Sequence, residues 1–163
     1  MSNTAAELTA ANLDRLVADV RTQRSSQFTK EFNERLIETF RANGGVVPGE
    51  LSAIPLILVT MVGAKSGKAR TVPLAYVEMD GRLLIVASSA GAPENPVWYN
   101  NLIKNPMVTV EIRAGSYRAE AVSLPGEERD RVFSIISAHN PAFADYQSRT
   151  TRKIPVVELR RFP

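Results

Sequence analysis

Three segments of the chain hold side chains whose types and spacing suit chemistry. The first is Gly63-Ala64-Lys65-Ser66-Gly67-Lys68-Ala69-Arg70. It has the outline of a phosphate-binding P-loop, but that motif needs four residues between its glycines and a hydroxyl directly after its lysine. Only Ala64, Lys65 and Ser66 separate Gly63 from Gly67, and Ala69 stands where the magnesium-binding hydroxyl belongs. What remains is a glycine-relieved turn carrying a hydroxyl and three cations. No acidic residue lies between Glu50 and Glu78, so the cluster is uncompensated locally and suits an anionic small molecule or a phosphate. Arg70 offers a planar fork, while Lys65 and Lys68 act as point charges. The plain alternative is a solvated basic turn.

The second segment is Ala87-Ser88-Ser89-Ala90-Gly91-Ala92-Pro93-Glu94-Asn95-Pro96-Val97-Trp98-Tyr99. Every residue from Ala87 to Ala92 is small, and the run follows directly on a strand. Such a loop lets backbone approach a flat ring and donate N–H groups to its carbonyls. It also reads as an ordinary strand-to-helix connection, with Trp98 and Leu102 four apart as core anchors. The third segment, Asn140 to Tyr146, places Phe143 and Tyr146 on one face, either to wall a pocket or simply to pack. His139 beside it is a candidate proton donor, or else a cap on its own helix end.

Absent residue types narrow the chemistry. The chain of 163 residues contains no cysteine and one histidine, so thiolate nucleophiles, zinc–cysteine sites and iron–sulfur clusters are ruled out and no metal site is expected. There is no nucleophile elbow, glycosidase-like carboxylate pair or dinucleotide fingerprint. A bound cofactor is therefore expected to carry the hard step of any reaction. The net charge of +3 comes without a long basic stripe, so no nucleic acid partner is expected. Residues 2–7 are polar, and the most apolar run, Ile54 to Val62, is far short of the ~20 residues of a spanning helix. These features point to a cytoplasmic protein acting on a small molecule.

The elements that must position these segments follow from periodicity. Residues 5–22 and 26–42 have helical spacing, the second with a stripe of Phe28, Phe32, Leu36 and Phe40 that Asn43-Gly44-Gly45 terminates. That stripe packs on the domain, covers a cofactor cleft, or makes peripheral membrane contact. Strands are expected at 54–62, 70–79 and 83–87, with Asp80-Gly81 as a hairpin turn. Asn95 is expected to cap a helix that opens on Pro96 and runs to about Lys104. A strand pair at 108–112 and 117–122, helices at 125–138 and 141–147, and a strand at 154–159 complete the chain. Strands arriving mostly as hairpins imply an α+β domain, a mainly antiparallel sheet or partly open barrel with helices packed outside it.

Three runs in register resemble the deazaflavin-dependent nitroreductase family of actinobacteria. They are Gly63 to Leu74, Ala87 to Leu102, and Tyr146-Gln147 through Arg152-Lys153-Ile154-Pro155-Val156-Val157. The resemblance covers about residues 54–160 and implies a split β-barrel that binds coenzyme F420, a deazaflavin with a phosphate and an oligoglutamate tail. It implies that Lys65, Ser66, Lys68 and Arg70 hold the phosphate and tail. Ser88, Ser89, Ala90, Gly91 and Ala92 would lie against the deazaflavin, with Asn95, Pro96 and Trp98 framing its pocket. Family members often carry lysine at the position of Ser89, and a tyrosine cluster is represented here by Asn140, Phe143 and Tyr146. Tyr146 is then the candidate catalytic residue and, with Phe143, the substrate contact. The implied reaction passes a hydride from reduced deazaflavin to a planar quinone, unsaturated carbonyl or nitro compound. An FMN-binding oxidoreductase on the same barrel and a non-catalytic deazaflavin carrier are the alternatives. The expected organisation is a helical segment over residues 1–45 and a cofactor-binding barrel over 46–163.

Overall fold

The computed structural model describes residues 26–47 and 55–162. The helix expected at residues 5–22 lies outside them. Its elements in chain order are helix α1 (Ser26–Ala42), strands β1 (Leu56–Val62), β2 (Ala69–Ala75), β3 (Val77–Met79) and β4 (Arg82–Val86), a 3-10 turn (Ser89–Gly91), helix α2 (Val97–Lys104), strands β5 (Met107–Ile112) and β6 (Gly115–Ser123), helices α3 (Gly126–His139) and α4 (Pro141–Ser148), and strand β7 (Val156–Arg161). The strands form one sheet in the order β2-β1-β5-β6-β7-β4-β3. The pairs β3–β4, β4–β7 and β6–β7 are antiparallel. This is the α+β class expected from the hairpin pattern.

The described residues form two compact units, one holding those up to 58 with 72–75 and 111–116, the other 59–71, 76–110 and 117–162. In the first, the stripe of α1 does what its period implies. Leu36 and Phe40 are buried against Val47 and Leu58, with Phe32 and Ile37 packed around them. The helix ends where Gly44 turns left-handed (φ +62°) and the Gly45 N–H reaches back to the Phe40 carbonyl at 2.8 Å, a closure that removes the Cβ penalty at the turning residue. Arg41 then grips Glu111 with two parallel bonds, Nε to Oε1 at 3.0 Å and Nη2 to Oε2 at 2.9 Å.

The second unit has its own core of Leu84, Leu124, Val132, Phe133, Ile136, Ile154 and Val156, with Phe143 and Tyr146 packed at its margin. Apolar residues of β4 and β7 thus meet one face of α3, whose first turn carries Glu127 and Glu128 as the helix dipole favours. The β3–β4 turn is the expected hairpin: Asp80 and Gly81 both have positive φ, the signature of a two-residue turn matched to strand twist.

Two local expectations are corrected. The strand expected over 70–79 is two strands broken at Tyr76, because β2 and β3 lie at opposite edges of the sheet order. The chain leaves one edge and joins the other, which a continuous strand cannot do. Asn95 does not cap α2. Pro96 occupies the cap position without a side-chain bond, because the Asn95 Oδ1 is taken by the Arg152 guanidinium at 2.8 Å.

One ion cluster braces the sheet. Arg82 Nη2 meets Glu128 Oε1 at 2.7 Å and Glu158 Oε1 at 3.0 Å, and Arg160 Nε reaches the same Glu158 oxygen at 3.1 Å. Burial alone would raise the Glu158 carboxyl, but hydrogen bonds from Arg82 and Arg160 outweigh it and hold the group below its ordinary value. A carboxyl depressed in the folded state stabilises above its unfolded pKa and loses that contribution as pH falls through the folded one. Glu158→Gln should therefore cost about 1–2 kcal/mol near neutral pH, since Arg82 keeps Glu128 as a partner. Thermal unfolding across pH should show the difference from the parent chain shrinking below about pH 4, near the ordinary carboxyl range.

Candidate functional site

The cationic turn connects β1 to β2 and is shaped by its own backbone. Gly63 N–H bonds the Lys68 carbonyl at 2.8 Å, and Gly67 N–H bonds that of Gly63 at 3.0 Å. Ser66 Oγ accepts the Lys68 N–H at 3.2 Å, which leaves its hydroxyl proton free to donate. A Cβ added at Gly63 would stand 2.6 Å from that Oγ, so the turn closes this tightly only around glycine. Below it, the hydroxyls of Thr60 and Thr71 join the two strands at 2.8 Å.

The turn is held from α2. Asn101, only 6% exposed, accepts the Ala64 N–H on its Oδ1 at 2.9 Å. One helical turn on, Asn105 Nδ2 donates to the Val62 carbonyl at 3.4 Å. With the backbone so committed, Lys65, Ser66, Lys68 and Arg70 all project to solvent. Among the described residues, none of the three cations is in an ion pair. Three cations without an ion pair among the described residues, with a hydroxyl beside them on a hydrogen-bonded turn, form a donor set that fits a phosphate and carboxylates.

The small-residue loop is an unusual piece of backbone. Ser89, Ala90 and Gly91 have φ of +43°, +54° and +81° in succession. Two of these residues carry a Cβ in the left-handed region, which costs about 1–2 kcal/mol each, so something must hold them there. Two turn bonds close the loop on itself, Gly91 N–H to the Ser88 carbonyl at 2.9 Å and Ala92 N–H to the Ser89 carbonyl at 3.0 Å, and Arg152 ties its two ends. Its Nη1 donates to the Ala87 carbonyl at 3.2 Å and to Asn95 Oδ1 at 2.8 Å, its Nη2 to the Ser88 carbonyl at 2.7 Å, and its Nε to the Ala92 carbonyl at 2.9 Å. Burial pulls this guanidinium below its ordinary pKa, yet arginine stays protonated in proteins.

Arg152 is itself fixed. Gln147 Nε2 donates to the Arg152 carbonyl at 2.7 Å, while Gln147 Oε1 accepts from Ile154 N–H and from Arg129 Nη2, both at 2.9 Å. Arg129, 7% exposed, also donates to the Ile154 carbonyl at 2.8 Å and lies 4.1 Å from the Phe133 ring centroid. A chain of polar contacts thus runs from α3 through α4 to the loop.

The smallness of Gly91 has a second cause beyond any ligand. A Cβ there would sit 2.7 Å from the Tyr146 carbonyl and 3.0 Å from the Arg149 Cβ, so the loop packs directly on the backbone of α4. That helix carries Phe143 and Tyr146, whose rings meet edge to face at 6.1 Å. Asn140 caps it by accepting the Ala142 N–H at 3.2 Å. His139 Nδ1 meets the Ile135 carbonyl at 2.9 Å, the cap role, on an exposed helix end. Trp98 is half-buried, while Asn101 and Leu102 on its face are buried. The structure therefore joins Ser88–Ala92, Asn95 and the Phe143/Tyr146 helix into one assembly, with the cationic turn tied to the far end of α2.

Comparison with known proteins decides the family. The pattern of the F420H2-dependent quinone reductases matches residues 32–160. The chain belongs to this family. An F420H2-dependent quinone reductase of Mycobacterium tuberculosis is 40% identical over 123 residues, 72% of this chain and 79% of its own. Among solved structures, the F420H2-dependent reductase FDR-A is 41% identical with a TM-score of 0.58, covering 65% of this chain and 94% of its own. A domain-swapped dimer is 36% identical with a TM-score of 0.61, covering 83% and 98%. The fold of this reductase is thus the split β-barrel, its cofactor is coenzyme F420, and the FMN alternative is not needed.

Sequence reasoning missed the residues that hold the candidate site together. Asn101 left a trace, as a polar residue amid the Trp98–Leu102–Asn105 face of an otherwise amphipathic helix. Gln147 and Arg152 stand in the third run of the family resemblance but are given no role there, and Arg129 left no trace, because nothing in local spacing says which carbonyls a distant guanidinium meets. Asn101→Ala should cost about 1–2 kcal/mol, from the orphaned, partly buried Ala64 N–H. Thermal unfolding should register it, with faster hydrogen exchange at Ala64. Gly91→Ala should lower stability by about 2 kcal/mol or more, from a left-handed Cβ that also meets backbone; equilibrium urea unfolding measures this.

Proposed function

We propose that this reductase transfers a hydride from F420H2 to a planar electrophile, with a quinone as the first substrate class to test. The observation that carries this reading is the set Lys65, Lys68 and Arg70, without an ion pair among the described residues, on a turn anchored to α2, the helix that the small-residue loop leads into. In this reading Lys65, Ser66, Lys68 and Arg70 hold the phosphate and glutamate tail. Ser88, Ser89, Ala90, Gly91 and Ala92 face the deazaflavin ring, and Asn95, Pro96 and Trp98 frame it. Residues 46–163 carry the whole site.

When bound, the reduced deazaflavin supplies the hydride. The chain contributes orientation and a dry surface, which together account for much of the rate advantage of such transfers. Phe143, with Tyr146, is assigned to the acceptor's side of the site. A hydride arriving at an electron-poor carbon leaves negative charge on the acceptor's carbonyl oxygen, and the Tyr146 hydroxyl is the group assigned to hold or donate the proton there. Its ring is wedged between Phe143 and the apolar core, which limits its motion.

A finer proposal places the chain in the cytoplasm, with membrane contact through its N-terminal residues when the quinone is lipid-borne. Among the described residues, no helix is long and apolar enough to cross a membrane. Leu36 and Phe40 are already buried, and the helix expected at residues 5–22 lies outside the described residues. Flotation of the full chain with liposomes, against a chain beginning at residue 45, tests it.

The anion site is tested by fluorescence titration with oxidised F420. Lys68→Ala and Arg70→Ala should each weaken binding about tenfold, the scale of one charge-assisted hydrogen bond, and added salt should weaken the parent chain more than either variant. Unchanged affinity in both variants would remove the assignment. Tight binding without turnover of any quinone would instead make the chain a deazaflavin carrier.

A further inference from the structure

The Arg152 guanidinium stands out because it is partly desolvated and, among the described residues, pairs with no carboxylate. Four of its five N–H donors are spent on one loop, and among the described residues it makes no ion pair. Removing a cation from water without an anion is costly unless every donor finds an acceptor. Here the acceptors are three backbone carbonyls and an amide, drawn from both the entry (Ala87, Ser88) and the exit (Ala92, Asn95) of the loop. A fixed planar fork can span such a set; a lysine ammonium cannot. Between the clamped ends lie Ser89, Ala90 and Gly91, the consecutive left-handed residues. Strained backbone of this kind persists only where its surroundings over-determine it.

We infer that Arg152 is a positioning residue for the reductase: it locks the Ser88–Ala92 loop in its left-handed form and thereby sets the surface presented to the deazaflavin ring. The inference rests on the reading of that loop given above, and it is independent of the cationic turn. Because Gly91 abuts the Tyr146 backbone, the same clamp keeps the proposed proton donor in register with the ring-facing loop. Gln147 supports the clamp by holding the Arg152 carbonyl.

The test combines hydrogen exchange on the cofactor-free protein with two titrations. The variant is Arg152→Lys, which keeps the charge and loses the fork. Amide exchange at 88–92 should quicken at least about tenfold relative to the core strands, as one lost charge-assisted contact implies. F420 and the deazaflavin nucleoside lacking phosphate and glutamates should both lose affinity by about the same factor, roughly tenfold, and kcat with a soluble quinone should fall alongside. Lys68→Ala should weaken F420 alone. If that contrast fails while the Arg152→Lys pattern holds, the anion assignment falls and this inference stands. Should Arg152→Lys not fold, Gln147→Leu should give the same pattern at about threefold. Faster exchange or a lower Tm with both affinities unchanged would reduce Arg152 to a structural residue and overturn the inference. So would full function with lysine.

Discussion

Irregular backbone beside a site must have its polar groups satisfied by something other than a helix or sheet ladder, and in this chain that burden falls on a few long side chains. The Arg152 guanidinium is the clearest case. It collects carbonyls at both ends of the loop after β4, adding to the two turn bonds inside the loop and to the packing of Gly91 on α4. The relay behind it, from Arg129 through Gln147, extends the same solution to the segment preceding β7. Polar networks of this sort are stable only when complete. The one described here uses both the donor and the acceptor side of the Gln147 amide.

A division of labour follows. The cationic turn depends on Asn101 and Asn105 of α2, while the small-residue loop depends on Arg152 and on close packing against α4. In the proposed reading, an anionic tail and an aromatic head make different demands: the first needs accessible charge on a defined frame, the second needs a flat surface with few side chains. Supporting the two segments from different elements would let each meet its own requirement. The link between them is α2, which takes up directly from the loop at one end and ties to the turn near the other.

Element types and order were legible because amphipathic periods and turn residues are local properties. The stripe Phe32–Leu36–Phe40, the Asp80-Gly81 turn and the acidic first turn of α3 all behave as their spacing implies. Legibility failed where a distant group competed with a local one. Asn95 is a good helix cap by type, but a guanidinium from far along the chain offers its Oδ1 a stronger, charge-assisted bond. Tyr76 likewise gives no sign of interrupting a strand, because the cause lies in which sheet edge each half joins.

The sequence by itself determined the α+β class, the exclusion of cysteine chemistry, and the cationic turn, since composition and an acid-free stretch are readable without coordinates. It also determined the family, through three runs held in order. Only the tertiary structure decided what keeps the site in shape. Hydrogen bonds from Arg152, Gln147 and Asn101 join residues far apart in the chain, and such pairings depend on where the folded backbone leaves its unpaired carbonyls and N–H groups, which no local pattern encodes.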